Sequence, residues 1–184
     1  GRKSGPLCLT NVSWHSHRAR TEATDSEFWD AEYKKNPDRV VVPDRALEDE
    51  VRDLKPGRAL DLGCGSGPNA LMLAERGWSV LGLDWSEHAI GLANKAASER
   101  SLDATFEVAD IRKWQANESF DLVISAYALP TGDDGRQILD SAISALAPGA
   151  TLIIVNSCGF IEPAKQESIE TALLFRNRYP GKRI

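Results

Sequence analysis

The sequence predicts a doubly wound α/β fold on a mostly parallel sheet. Two observations predict it: from residue 58 onward short apolar runs alternate with helix-spaced segments, and most junctions between them carry capping or turn chemistry. A third bounds it, since 184 residues that are 42% hydrophobic and 27% charged suffice for one core and rule out wholesale disorder.

Taken in order, residues 1–24 are polar and lack sustained periodicity, which reads as an N-terminal arm, and residues 25–184 read as a single domain. Phe28, Trp29 and Tyr33 suit a short amphipathic helix broken by Pro37, and Pro43 opens a second one carrying Ala46, Leu47, Val51 and Leu54 as far as Pro56-Gly57. Residues 59–62 make the first strand. A glycine-rich turn follows, then a helix over 69–76 with Gly77 as its stop. Residues 79–83 form the second strand, and Ser86 caps a helix reaching about Arg100. Further strands are expected at 104–108, 120–125 and 150–155, with a helix over 135–146 between the last two, closed by Pro148-Gly149. Residues 156–184 offer a helix near 164–176 and a turn at Tyr179-Pro180-Gly181.

Composition narrows the function classes. No apolar run approaches the ~18 residues of a membrane span, and Leu7, Cys8 and Leu9 behind Arg2 and Lys3 are too brief for a secretory leader. Cys8, Cys64 and Cys158 are odd in number and far apart, against a disulfide framework or a zinc site, so a cytoplasmic setting is expected. His15 and His17 have no carboxylate or thiolate cluster beside them, and no metal site is expected. The first 20 residues hold four bases and no acid, and the last 24 hold five bases against three acids. The middle therefore carries 13 bases and 24 acids, a body that repels phosphate backbones, so nucleic acid is not the expected partner.

Ligands of open parallel sheets lie beyond the carboxyl ends of the strands, and here those ends carry acids. After the first strand comes Asp61-Leu62-Gly63-Cys64-Gly65-Ser66-Gly67, with glycines 63, 65 and 67 allowing a sharp turn and close backbone approach. A dinucleotide fingerprint would place its third glycine at position 68, where Pro68 stands, and no Gly-Lys-Ser/Thr closes a Walker loop. Asp84 ends the second strand where a carboxylate accepts two ribose hydroxyls. Asp110, one strand further, is placed for an exocyclic adenine amine. Together they describe an adenosine lying across the strand ends.

These residues carry a resemblance. Residues 59–67 (A-L-D-L-G-C-G-S-G), the strand ends at Asp84 and Asp110, and residues 120–125 (F-D-L-V-I-S) resemble the ordered motifs of class I S-adenosylmethionine-dependent methyltransferases, over residues 58–155. The F-W-D-A-E-Y of residues 28–33 is similar to the lead-in helix of the small tellurite-resistance and thiopurine methyltransferase-like group. The resemblance implies a Rossmann-like methyltransferase fold, S-adenosylmethionine as cofactor, a small-molecule acceptor, and a cofactor half over residues 58–126. It also implies roles. Gly63, Cys64 and Gly65 would bring backbone to the methionine part, with Asp61 orienting the loop or its waters, and Gly67 belongs to the same cofactor-binding set. Asp84 would hold the ribose, Trp85 or Ile111 would pack on adenine, and Asp110 would bond its amine. Ser125 and Ala126 would border the sulfonium, and Trp29 and Tyr33 would form a lid.

Tyr127 and Asp133 are the two candidates for a general base, which is needed only for acceptors that arrive protonated. His88, after the cap, is expected to face solvent, and Cys64 to matter for its size more than its thiol. The family usually adds a helix and a two-strand hairpin after the fifth strand; these are expected to be absent or replaced, leaving a sheet edge suited to pairing with a second copy. Two other readings stay open on residues alone: a non-catalytic module binding the same adenosyl ligand, and a nicotinamide-dependent oxidoreductase, which Pro68 disfavours.

Overall fold

The computed structural model describes residues 22–35, 42–130 and 132–155. The expected arm up to residue 21, Cys8, His15, His17, Cys158 and the expected helix and turn after residue 156 lie outside them.

Five parallel strands form one sheet in the order β3-β2-β1-β4-β5. They are β1 (Arg58–Leu62), β2 (Ser79–Asp84), β3 (Ala104–Val108), β4 (Phe120–Ala126) and β5 (Leu146–Val155), and the helices are α1 (Glu22–Lys35), α2 (Arg45–Val51), α3 (Pro68–Glu75), α4 (Glu87–Glu99) and α5 (Asp133–Ser144). β1 lies at the centre, Leu60 opposite Leu81 of β2 and Val123 of β4. Both faces are covered, which is why the strands read as unbroken apolar runs. Alternate residues divide accordingly: Ala59, Val80, Leu122 and Ile124 join α2, α3 and α4 in one cluster, and Leu60, Leu62, Leu83, Val123 and Leu152 join α5 in the other.

Local chemistry sets most boundaries. Ser86 caps α4 by accepting from the Ala89 amide at 3.2 Å. Asp44 caps α2 through the amides of Ala46 and Leu47. Pro68 stands at the first position of α3, where its missing N–H costs nothing. The edge strand β3 is clasped by α4: the Asn94 amide group donates to the Phe106 carbonyl at 2.9 Å and accepts from the Phe106 N–H at 3.2 Å.

Five boundaries depart from expectation. Helix α1 begins at Glu22, inside the segment read as an arm, and α2 stops at Val51 rather than running to Pro56-Gly57. The helix expected over 135–146 is α5, which starts two residues earlier and stops at Ser144, because Leu146 already pairs with Phe120 of β4. Pro148-Gly149 accordingly interrupts β5 instead of closing the helix, at the register shift between Phe120 and Leu122.

Gly67 shows how tightly the turn after β1 is packed onto the helices. Its φ is +80°, and a Cβ there would lie 2.8 Å from the Phe106 ring and 3.1 Å from the Ala93 methyl. Gly67→Ala is expected to lower the unfolding free energy by about 2–4 kcal/mol in urea titrations, combining left-handed strain with overpacking. A loss below ~0.5 kcal/mol would show that the turn is not constrained by that contact.

Candidate cofactor site

The carboxyl ends of β2, β1 and β4 lie side by side, at the point where strand order reverses about β1. What gathers there differs from a phosphate cradle. The N–H groups of Gly63 and Cys64 both donate to the Leu83 carbonyl (2.8 and 3.0 Å), that of Gly65 to Asp84 Oδ2 (2.9 Å), and that of Gly67 to the Cys64 carbonyl (2.9 Å). Amides committed in this way leave no cluster of donors for an anion at those four positions. Close approach is still needed at Gly65, whose φ is +54° and whose Cβ would collide with the Tyr33 hydroxyl. Gly63 is closed off by the Ala128 methyl and has Ile111 beside it.

Acids line the turn instead. Asp61 is 1% exposed and neither of its oxygens has a hydrogen-bond partner within the described residues. Burial, and then the Asp84 carboxylate, push its pKa up to about 7, the Ala70 amide offsetting only part. Asp84 is also shifted upward by burial, although the amides of Ser86, Gly65 and Trp85 favour its charged form. Its oxygens accept from the Gly65 and Ser86 amides, both at 2.9 Å. Ser125 Oγ, near the end of β4, is likewise buried without a partner. Ala126 follows it at the strand's last, half-buried position. Two buried carboxylates and a buried hydroxyl, short of partners, make a site that gains most from a cationic, hydroxyl-bearing ligand.

Helix α1 closes one side. Asp30 accepts from the Ser86 hydroxyl and, at 3.2 Å, from the His88 amide, and these bonds with Lys34 hold its carboxyl below the usual range. Tyr33 thereby sits over the glycine turn, while Trp29 is half-buried and packs edge-on against Phe28, centroids 5.4 Å apart. His88 does not simply face solvent: its Nε2 is buried without a partner among the described residues, because α1 packs on the start of α4. Cys64 is buried, its thiol pushed up by burial and the neighbouring acids, and its Sγ lies 3.6 Å from the Gly65 carbonyl. A small apolar filler is what that position uses.

Toward β3, Trp85 and Asp110 come together as expected, but neither is free. Arg112 donates to both Asp110 oxygens at 2.8 Å and lies over the Trp85 ring, 5.3 Å from its centroid. Beyond β4, Tyr127 has φ +60°, and its hydroxyl donates to Asp44 Oδ2 at 2.6 Å, which raises its pKa to about 12. Asp133 is 91% exposed beside Arg136 at 3.5 Å. Tyr127 is thus poorly suited to take a proton near neutral pH, and Asp133 stands in solvent against Arg136. Asp30, Asp44, Arg112 and Ala128 are the participants that sequence reasoning missed. Asp30 lies within F-W-D-A-E-Y and Arg112 two residues past a predicted strand-end acid, but their partners are set by tertiary packing, which leaves no local signal.

Comparison with known proteins agrees with this geometry. The profile of the methyltransferase domain family matches residues 59–149, from β1 into β5. A 2-heptyl-1-hydroxyquinolin-4(1H)-one methyltransferase of Mycobacteroides abscessus is 40% identical over 105 residues, covering 54% of this chain and 45% of the relative. A solved structure described as the conversion of a disulfide bond into a thioacetal group during echinomycin biosynthesis aligns at 37% identity and TM-score 0.61, over 70% of this chain and 60% of its own. TehB from Haemophilus influenzae shares the fold at 20% identity and TM-score 0.60, over 77% of this chain and 55% of its own. The chain spans about half the length of the curated relatives it matches. With the motif order, the parallel five-stranded sheet and the acid-lined turn in agreement, the chain belongs to the class I S-adenosylmethionine-dependent methyltransferases.

Proposed function

We propose that this chain binds S-adenosylmethionine across the ends of β2, β1 and β4 and transfers its methyl group to a small-molecule acceptor by in-line displacement. The observation that carries the reading is Asp61, fully buried, short of partners and beside a second carboxylate, under a turn whose amides are already committed. A pyrophosphate would meet carboxylates and few donors there, so the nicotinamide reading loses its physical basis. The residues present fit the adenosyl cofactor: Asp61 and Ser125 would hold its methionine and sulfonium end, Asp84 the ribose, and Trp85, Asp110 and Ile111 the base.

When bound, the cofactor supplies an activated methyl group on a positive sulfur. The chain's own work is alignment and exclusion of water. Asp61 supplies a negative charge that the bound cation draws out in a region of low dielectric, Asp84 orients the ribose through a carboxylate that the Gly65 and Ser86 amides hold in place, and Tyr33 on α1 covers the turn. Because the Tyr127 phenol is held protonated by Asp44 and Asp133 stands in solvent, the acceptor class favoured is one that arrives ionised or ionises easily: a thiolate, or an acidic hydroxyl. The named substrate of the Mycobacteroides relative carries a 1-hydroxy group, and the echinomycin structure concerns sulfur chemistry, both in line with that class. Sparse, widely spaced cysteines support a reducing, cytoplasmic setting for the reaction. Among the described residues no helix is long and apolar enough to cross a membrane.

Calorimetric titration with S-adenosylhomocysteine is expected to give micromolar binding, with NAD giving none. Asp84→Asn is expected to weaken it by about ten- to a hundredfold, the cost of hydrogen bonds to a charged acceptor. Equal affinity in the variant would remove Asp84 from the ribose site, and binding of NAD would overturn the assignment.

Asp61→Asn is expected to move stability and binding in opposite directions. A carboxylate whose folded pKa is raised above its unfolded value destabilises the fold increasingly as pH climbs through about 4 to 7. The neutral variant should therefore melt higher than wild type near pH 8, by about 10 °C, and at the same temperature near pH 4. It should also bind S-adenosylhomocysteine more weakly. A lower melting temperature at both pH values would show that Asp61 is a structural anchor instead.

A further inference from the structure

We propose that Arg112 is the specificity gate of the base pocket: it holds Asp110 and covers Trp85 until the adenine arrives, and then passes to Asp134, leaving Asp110 to accept the exocyclic amine. The proposal rests on the adenosyl reading above and goes beyond it by assigning a moving part that the family motifs do not contain.

Asp110 has little acceptor capacity left for an incoming amine. A carboxylate offers about four acceptor positions. At Asp110, Oδ1 accepts from the Arg112 amide at 3.1 Å and from Nε at 2.8 Å, Oδ2 accepts from Nη2 at 2.8 Å, and Lys113 Nζ stands 3.8 Å from Oδ2. Three positions are taken and a cation faces the fourth. The Trp85 ring expected to pack on adenine meets the same guanidinium, 5.3 Å from its centroid. Adenine therefore finds both of its expected contacts already made.

The guanidinium cannot simply be released. The Arg112 side chain is only 11% exposed, so leaving Asp110 without another carboxylate would strand a poorly hydrated charge. Asp134, in the first turn of α5, supplies the second seat: its Oδ2 is already 3.4 Å from Arg112 Nη1, and its side chain is 47% exposed and so free to follow. β2 and β3 pair through Asp84 and Val108, which keeps Trp85 and Asp110 adjacent while the arginine changes partner. The device places a barrier in front of the amine site. Ligands that cannot compete for Asp110 do not open it, which selects adenine over bases lacking that donor.

A double-mutant cycle read by calorimetry with S-adenosylhomocysteine tests this, using wild type, Arg112→Ala, Asp134→Asn and the double variant, with Arg112→Lys as the conservative control. Arg112→Ala is expected to bind about fivefold tighter than wild type because no ion pair has to be broken first. Asp134→Asn is expected to bind about fivefold weaker in the wild-type background and to change nothing when Arg112 is alanine. Arg112→Lys, which keeps the charge without the fork, should fall between wild type and alanine. Weaker binding by both Arg112 variants, with ligand-free melting temperatures unchanged, would overturn the gate and make Arg112 a fixed wall of the pocket. So would an equal effect of Asp134→Asn in both backgrounds. Binding by wild type with either of these results leaves the adenosyl reading standing while the gate falls; absence of binding by every protein in the set would overturn both.

Discussion

Two carboxylates buried at neighbouring strand ends set the terms for the rest of this molecule. Asp61 lies one residue before the end of β1 and Asp84 at the end of β2, and the Asp84 carboxylate raises the cost of ionising Asp61. A fold tolerates such a pair only if its surroundings are rigid and if something else is gained. The rigidity is visible in the turn that joins them: the amides of Gly63 and Cys64 reach across to Leu83, and that of Gly65 binds Asp84 itself. The gain is electrostatic. A cation entering beside Asp61 recovers the energy held in an unpaired charge, so the site discriminates by sign before it discriminates by shape.

The elements around the pair follow from it. Helix α1 is tied to the start of α4 through Asp30, which brings Tyr33 over Gly65. The loop after β4 presses Ala128 onto Gly63 and ties Tyr127 to Asp44, the cap of α2. A glycine turn that in other α/β folds offers amides to phosphate is here wrapped from both sides and lined with acid. The same sheet thus serves a different ligand charge without any change in topology.

Much of this was legible in the sequence. The alternation of strands and helices, the cap at Ser86, and the placement of Asp61, Asp84 and Asp110 at or just past strand ends are local or periodic signals, and each appears where it was read. The errors have physical causes too. The helix expected over 135–146 gave its last residues to β5 because strand pairing with Phe120 outweighs helix propensity at Leu146. His88 was expected in solvent because nothing local reveals that α1 folds over α4. Asp110 reads as an adenine ligand from its position, and only the three-dimensional arrangement shows that Arg112 already holds it. At Gly67, grouped with the ligand-facing glycines, a Cβ would meet Phe106 and Ala93 on the packed side, a constraint that no local signal reveals.

The central claim is that Asp61 is kept protonatable so that a cationic cofactor draws it into its charged form. The most direct measurement is the proton balance of S-adenosylmethionine binding, by calorimetry near pH 6.5 in two buffers of widely different ionisation enthalpy, repeated near pH 8.5. The account predicts net proton release at the lower pH, seen as a buffer-dependent heat, and none at the higher pH, where Asp61 is already ionised. Binding heats that are the same in both buffers at both pH values would contradict it, since the buried carboxylate would then take no part in receiving the charge.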